Sequence, residues 1–417
     1  MQKYLRILSI IVTAEFLLPI VFKNLPFPLY SHIFWQTIWF GSLILFRTKV
    51  LIKSPLIYIY IGVAYFALVN LLDKSSDVDL LYNFNLLDML FALSMYYFFT
   101  LTNDLKGFSL LLKFILIFIV ISSITSIIGF IIFPESIRFN PASGAETPQA
   151  SMELSKYYNS IGILGYGFFY GIAVIMPMLN LFYKNLMKST DTSKILFILF
   201  ALILLYALIK AGYATSFLLA LTGLFLSFLG LKIFNKYRSL IVVVVFALFL
   251  FSENIIGGGL IDLSTYLEDG SILQNRINDL GLTFIGEEGT HVSGRLERIP
   301  VLLSNWLEKP LFGNKFSTGH NFILDVLSFY GIVGLIPFIL IIYSYINHVR
   351  KFLIIEHRYY FNLVIFLFVV YSVFKGVPDS TVYFFIILIA PGISVTIQYE
   401  GYYKYLGRLK EQTHYAI

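Results

Sequence analysis

An all-α polytopic membrane protein is the class this sequence predicts, and three observations predict it. Of its 417 residues, 58% are hydrophobic and 13% charged, with a mean hydropathy of +0.81, whereas a soluble globular chain is about 45–50% apolar and about 25% charged. Apolar runs long enough for a helix to cross a hydrocarbon layer of roughly 30 Å, about 20 residues each, recur along the whole chain. Lys and Arg gather in alternate connections between those runs. Half the usual charge cannot coat a water-facing surface of this size, so a soluble enzyme, a secreted module and a disordered tail are excluded. With 0 cysteines, disulfide scaffolds, thiolate metal sites and cysteine nucleophiles drop out together. The net charge of +6 is scattered between apolar runs and not gathered on one face, as a nucleic-acid surface requires.

Twelve spans are expected, about one per apolar run. The first six centre on 4–22, 29–46, 55–72, 84–102, 108–133 and 158–183. The other six centre on 194–210, 212–231, 239–256, 319–346, 359–377 and 380–397. No small-residue cleavage site follows the first run, so it reads as a span and not as a removable signal peptide. No internal repeat of the transporter kind and no low-complexity tract is visible.

Loop charges set the expected orientation, because basic residues stay on the cytoplasmic side. Arg47, Lys49 and Lys53 lie in one connection, Lys184, Lys188 and Lys194 in a second, Lys232, Lys236 and Arg238 in a third, and Arg350, Lys351 and Arg358 in a fourth. All four fall on one side of a twelve-span bundle. The 73–82 connection is on the other side and is acidic, with Asp73, Asp77 and Asp79 against Lys74. Both termini are therefore expected in the cytoplasm, and two longer loops, 134–156 and about 257–319, are expected outside. The chain divides into spans one to nine (1–256), an outer loop domain (257–318), and spans ten to twelve with a cytoplasmic tail (319–417).

The second outer loop is long enough to fold. Ile299, Leu302, Leu303, Trp306 and Leu307 recur at i, i+3, i+4, i+7 and i+8, one apolar stripe on a helix, with Pro300 near its start. Such a helix lies flat on the outer leaflet with Trp306 at headgroup depth. Arg295 and Arg298, three apart, fall on one side of a helical turn; they are either functional or simply solvated. Lys309-Pro310-Leu311-Phe312-Gly313 follows, and then His320 and Asn321 open a long apolar helix, with Gly331 and Gly334 spaced for close helix–helix approach. Helix N-termini favour anions and a histidine there can take a proton near neutral pH, although an interfacial histidine is often only a structural hydrogen-bonder.

Ser293-Gly294-Arg295, Trp306, Lys309-Pro310-Leu311-Phe312-Gly313 and His320-Asn321-x9-Gly331-x2-Gly334 together resemble the signature of the O-antigen polymerase and ligase superfamily, which includes the Wzy-type polysaccharide polymerases. The resemblance implies an inverting, metal-independent glycosyltransferase that takes a glycan from undecaprenyl diphosphate on the outer face of a bacterial plasma (inner) membrane. It implies that Arg295 contacts the diphosphate and that His320, with Asn321 beside it, stands near the acceptor or the diphosphate. Partners would be lipid-linked donor and acceptor glycans and membrane lipids, with a chain-length regulator and a flippase as further candidates; no cofactor, metal or nucleic acid is implied. The chain departs from the family at the turn after span seven, where Lys210-Ala211-Gly212-Tyr213-Ala214-Thr215-Ser216 carries no arginine. Lys210 supplies only a point charge there, without a guanidinium fork.

Elementary chemistry points the same way. No nucleotide sugar exists outside the plasma membrane, so the donor must carry its own leaving group, and a departing diphosphate builds negative charge. Preorganised cations or helix N-termini aimed at that charge are the main requirement; Arg295, Arg298, Lys210, Arg276 and Arg138 lie on the expected outer side. No cluster of carboxylates or histidines has metal-ligand spacing. The acceptor hydroxyl needs a base, typically worth 10²–10⁴-fold. His320 is the candidate and Asp325 the rival or a structural acid; five residues apart, about 140° around a helix, the two do not share a face. Ionisable groups within spans are costly, about 2.5–3.5 kcal/mol each, which singles out Asp325, Glu15, Asp88, Lys113, Glu253 and Lys375 as either functional or bundle-fixing. Three activities stay open: a polymerase of lipid-linked repeats for O-antigen, capsule or exopolysaccharide, a ligase transferring the glycan to lipid A-core, and a lipid-linked oligosaccharide flippase.

Overall fold

The computed structural model describes residues 1–26, 29, 31–72, 78–133, 136, 154, 157–186, 191–213, 215–229, 258–267, 269–270, 272–284, 298–318, 321–374 and 380–401. Every regular element among the described residues is helical. In chain order these are α1 (Gln2–Leu17), α2 (Pro19–Phe22), α3 (His32–Leu51), α4 (Ser54–Leu72), α5 (Val78–Leu101), α6 (Leu105–Ile132), α7 (Tyr166–Leu186), α8 (Asp191–Lys210) and α9 (Thr215–Leu229). There follow α10 (Gly258–Thr265), α11 (Ile272–Phe284), α12 (Arg298–Glu308), α13 (Phe322–Phe352), α14 (Ile355–Phe374) and α15 (Thr381–Gly401). The ninth expected span, 239–256, lies outside the described residues; the other expected spans overlap helices, the first being divided between α1 and α2 and the sixth running helical from Tyr166.

By length and composition, Leu105–Ile132, Tyr166–Asn185, Phe322–Phe352 and Thr381–Gly401 can cross a membrane. Ile33–Leu51 and Pro55–Val69 meet at 108° and make a fifth if taken as one bent span. Shorter apolar helices, Met89–Leu101, Ile195–Lys210 and Thr215–Leu229, pack among them. The protein is thus a helical membrane protein with at least four such helices among the described residues.

The loops segregate to two ends of the bundle. At one end Arg6 grips Asp104 with two charge-assisted bonds of 2.5 Å, Lys113 meets Glu400 at 2.7 Å, Lys184 donates to the Tyr360 hydroxyl at 2.6 Å, and Arg350 donates to Asn362 at 2.9 Å. This is the basic end. At the far end Asn24 donates to the Ser160 carbonyl at 3.2 Å, Thr125 to the Gly162 carbonyl at 2.8 Å, and the rings of Tyr65 and Tyr330 lie 6.4 Å apart.

Aromatic layers fill the space between. Phe16 stacks between Phe91 (5.2 Å) and Phe384 (5.8 Å), tying α1, α5 and α15 together. The buried Trp39 indole donates to Ser94 at 2.9 Å, the partner that a buried indole needs. In α15 the turn Phe385–Ile389 widens into a π-helix, and the buried Tyr345 hydroxyl donates to the carbonyls of Ile386 (3.1 Å) and Ile387 (3.0 Å). In the long connection, α10 and α11 bury Leu260, Leu273 and Ile277 against Phe217 at the far end of α9; this part of the loop is folded.

Candidate functional site

The expectation that Gly331 serves close helix–helix approach is corrected by the backbone. Gly331 has φ 68° and ψ −165°, which interrupts α13. In an unbroken helix the amides of Ile332 and Val333 would donate to the carbonyls of Ser328 and Phe329. Here Ile332 and Val333 donate instead to Pro310 (2.9 Å) and Leu311 (3.1 Å), while Asn314 and Lys315 donate to Ser328 (2.7 Å) and Phe329 (3.3 Å). Lys309-Pro310-Leu311-Phe312-Gly313 is therefore spliced into the helix break, and all four orphaned groups are satisfied by exchange.

The strap is fixed at both sides. Gly313 donates to the Lys309 carbonyl at 2.8 Å, the Trp306 indole to Pro310 at 3.1 Å, and the Asn314 amide to Glu308 (2.6 Å) and Asn305 (3.2 Å). Of the expected stripe on α12, Leu302 is buried, while Leu303 and Leu307 are exposed and Ile299 and Trp306 half-buried. Among the described residues α12 packs on protein through Leu302, while Leu303 and Leu307 of the stripe face outward.

Nearly three turns above the break, at about 3.6 residues per turn, lies the mouth of α13. Asn321 is the residue just before the helix, not a member of its first turn, and it makes no side-chain cap. The cap comes from Asp325, which is fully buried. Its carboxylate accepts the Thr318 amide (2.6 Å) and hydroxyl (3.1 Å) and the Asn321 amide (2.8 Å). An acidic group in the first turn is favoured by the positive helix end, and these bonds tie 318–321 to the helix. Arg298 begins α12, where it adds its charge to a helix N-terminus, an arrangement that draws anions.

Lys210 and Arg276, the other described cations of the expected site, stand elsewhere. Lys210 ends α8, with its ammonium 5.8 Å from the Tyr206 ring; Gly212 (φ 67°) makes the turn. Tyr213 in that turn faces Tyr166 (5.8 Å) and Tyr170 (6.1 Å), and Tyr371 faces Tyr170 at 4.9 Å. Arg276 on α11 pairs with Asp279 at 3.8 Å, and its neighbour Ile277 packs on Phe217, just beyond Tyr213. The four tyrosines and Thr318 were not singled out in the sequence. Only Tyr166 and Tyr170, four apart, carry a local signal; Tyr213 and Tyr371 reach them through the fold.

The structure thus brings Asn321 and Asp325 together with Thr318 and joins them through the strap to the helix of Arg298; Lys210 and Arg276 stand on other elements, beside Tyr206 and Asp279. Arg295, His320 and Arg138 lie outside the described residues, as do Glu253, Lys375 and the side chain of Asp88. Lys113 pairs with Glu400 on an exposed face, the bundle-fixing alternative; Glu15 is buried. Among the described residues no group of three or more His, Asp or Glu is placed to hold a metal. No protein-family model matches the chain, and comparison with curated proteins and with solved structures gives no match.

Proposed function

We propose that the chain is a membrane glycosyltransferase that polymerises undecaprenyl-diphosphate-linked oligosaccharide repeats on the outer face of a bacterial plasma membrane, with both termini cytoplasmic. The acceptor hydroxyl attacks the anomeric carbon from the face opposite the diphosphate; its proton passes to His320, the C–O bond to the diphosphate breaks, and the leaving group departs as the anion. Arg295 and Arg298 hold the diphosphate, with Lys210, Arg276 and Arg138 as further cations on that side and Asn321 beside His320. No metal or cofactor enters the scheme. Asp325, whose two oxygens already receive three donors, serves to hold the helix mouth and leaves the base role to His320.

The observation that carries this reading is the splice at Gly331. Two motif pieces that resemble the polymerase and ligase signature, Lys309–Gly313 and Asn321–Gly334, form one hydrogen-bonded unit that presents the helix mouth at the end of the bundle away from its basic loops. The test is purified protein with lipid-linked repeats alone. A ladder of products supports polymerisation; product only on adding lipid A-core makes it a ligase; passage of lipid-linked sugar across liposomes with no new glycosidic bond makes it a flippase.

A further inference from the structure

We infer that residues 307–316 form a re-entrant wedge that sits in the lipid leaflet at the far end of the bundle and docks there on anionic phospholipid. This inference does not rest on the transferase reading; it follows from depth, backbone satisfaction and side-chain character.

Depth comes first. The strap packs on α13 at Ser328–Val333, not at its end. The basic end of α13 is marked by His348, Arg350 and Lys351. The unbroken helix from His348 back to Ile332, sixteen residues and roughly 24 Å at about 1.5 Å each, ends at the break. A hydrocarbon layer of roughly 30 Å reaches at least that far, so the strap lies at or inside its far boundary.

Irregular backbone survives at that depth only where its polar groups are satisfied within the protein. Where the strap crosses the break this condition is met: the carbonyls of Lys309, Pro310 and Leu311 accept, and the amides of Gly313, Asn314 and Lys315 donate, all to protein partners. A water-facing loop would need no such exchange, because solvent would fill the same role.

The side chains agree. Leu307 is 67% exposed, Leu311 58% and Phe312 66%, so three large apolar groups turn away from the protein, with Phe316 partly exposed beside them. Lys309 and Lys315 are exposed among them, and Lys315 is held at φ 58°, a region that lysine seldom adopts. The carboxylate on this stretch, Glu308, is taken up by Asn314 at 2.6 Å. Apolar groups with flanking ammonium groups match acyl chains beneath a row of phosphates, as interfacial segments do.

The absence of cysteine allows a clean test on the full chain. Single nitroxide labels are placed at Phe312→Cys and, as a water-facing reference, at Asp269→Cys, in vesicles of phosphatidylcholine with and without phosphatidylglycerol. The expected result is that oxygen relaxes the label at position 312 more than an aqueous nickel chelate does, with the order reversed at 269. A label at 312 that answers to nickel as the reference does, or to neither quencher as one covered by protein would, overturns the inference; Leu311→Cys repeats the measurement should Phe312→Cys fold poorly. For the headgroup, native mass spectrometry should show fewer retained phosphatidylglycerol molecules in the Lys309→Gln/Lys315→Gln variant. Unchanged retention removes the anionic preference.

Discussion

The backbone of Gly331 lies against the carbonyl of Leu311, so close that a β-carbon on Gly331 would stand 2.3 Å from that oxygen. The approach is mutual, since a β-carbon on Gly313 would stand 2.2 Å from the Phe329 carbonyl. Both glycines have positive φ, and both sit where strap and helix exchange their hydrogen bonds. Neither neighbour is a flexible side chain that can swing away.

Gly331→Ala should therefore be severe. Its φ and ψ fall in a region that is essentially glycine's own, about 1–3 kcal/mol of strain for another residue, and the backbone clash adds to that. The expected outcome is a large loss of monodisperse protein on fluorescence-detected gel filtration and a lower thermal midpoint in detergent. Gly41→Ala is the control: nothing lies within 4 Å of its β-carbon position, and alanine in a helix is favoured by about 1 kcal/mol over glycine, so its midpoint should hold or rise.

Asp325→Asn separates holding from catalysis. An amide keeps one acceptor oxygen but turns an N–H toward the Thr318 or Asn321 amide, each of which is itself a donor. Leaving a buried donor unsatisfied costs about 1–3 kcal/mol. Hydrogen exchange at Thr318 and Asn321 should speed up while α5 and α7 stay protected. Unchanged exchange would mean that the carboxylate is not what closes the helix mouth.

At the basic end, Arg6, Asp104 and Gly107 form a second unit. Asp104 accepts the Gly107 amide at 3.0 Å as an N-cap for α6 while it holds Arg6, and a β-carbon on Gly107 would meet Asp104 at 2.3 Å. Breaking a buried pair by removing one partner costs roughly 3–5 kcal/mol. Arg6→Ala should lower the detergent melting midpoint more than Asp104→Ala, because it strands a carboxylate that is only 2% exposed, whereas the arginine left by Asp104→Ala is 29% exposed and can still reach water.

Much of this was legible in the sequence and some was not, for definite reasons. Hydropathy places the helices because a lipid solvent imposes one length and one pattern. Of the long connection, α12 begins where Pro300 and the apolar stripe at 299–307 put it. The break at Gly331 was hidden, because an isolated glycine in an apolar run reads as a packing contact until its φ is known; the partner signal was Pro310 and Gly313 about twenty residues earlier. The Arg6–Asp104 pair and the meeting of Tyr166, Tyr213 and Tyr371 depend on helix order in space, which no local pattern encodes.

The sharpest tests of the chemistry fall on Arg295 and His320. Arg295→Lys retains the charge but loses the planar fork that matches a diphosphate, so chain elongation should stop while expression and melting stay normal; ordinary polymer from Arg295→Lys would rule out bidentate contact. His320→Ala should slow turnover by roughly 10²–10⁴-fold, the usual range for a positioned base. If His320→Ala is nearly as fast as the parent, the base role passes to Asp325 or to no side chain, and the Asp325→Asn data then decide: lost turnover with unchanged amide exchange makes Asp325 the base, lost turnover with faster exchange traces the loss to a loosened helix mouth, and retained turnover leaves no side chain in the role.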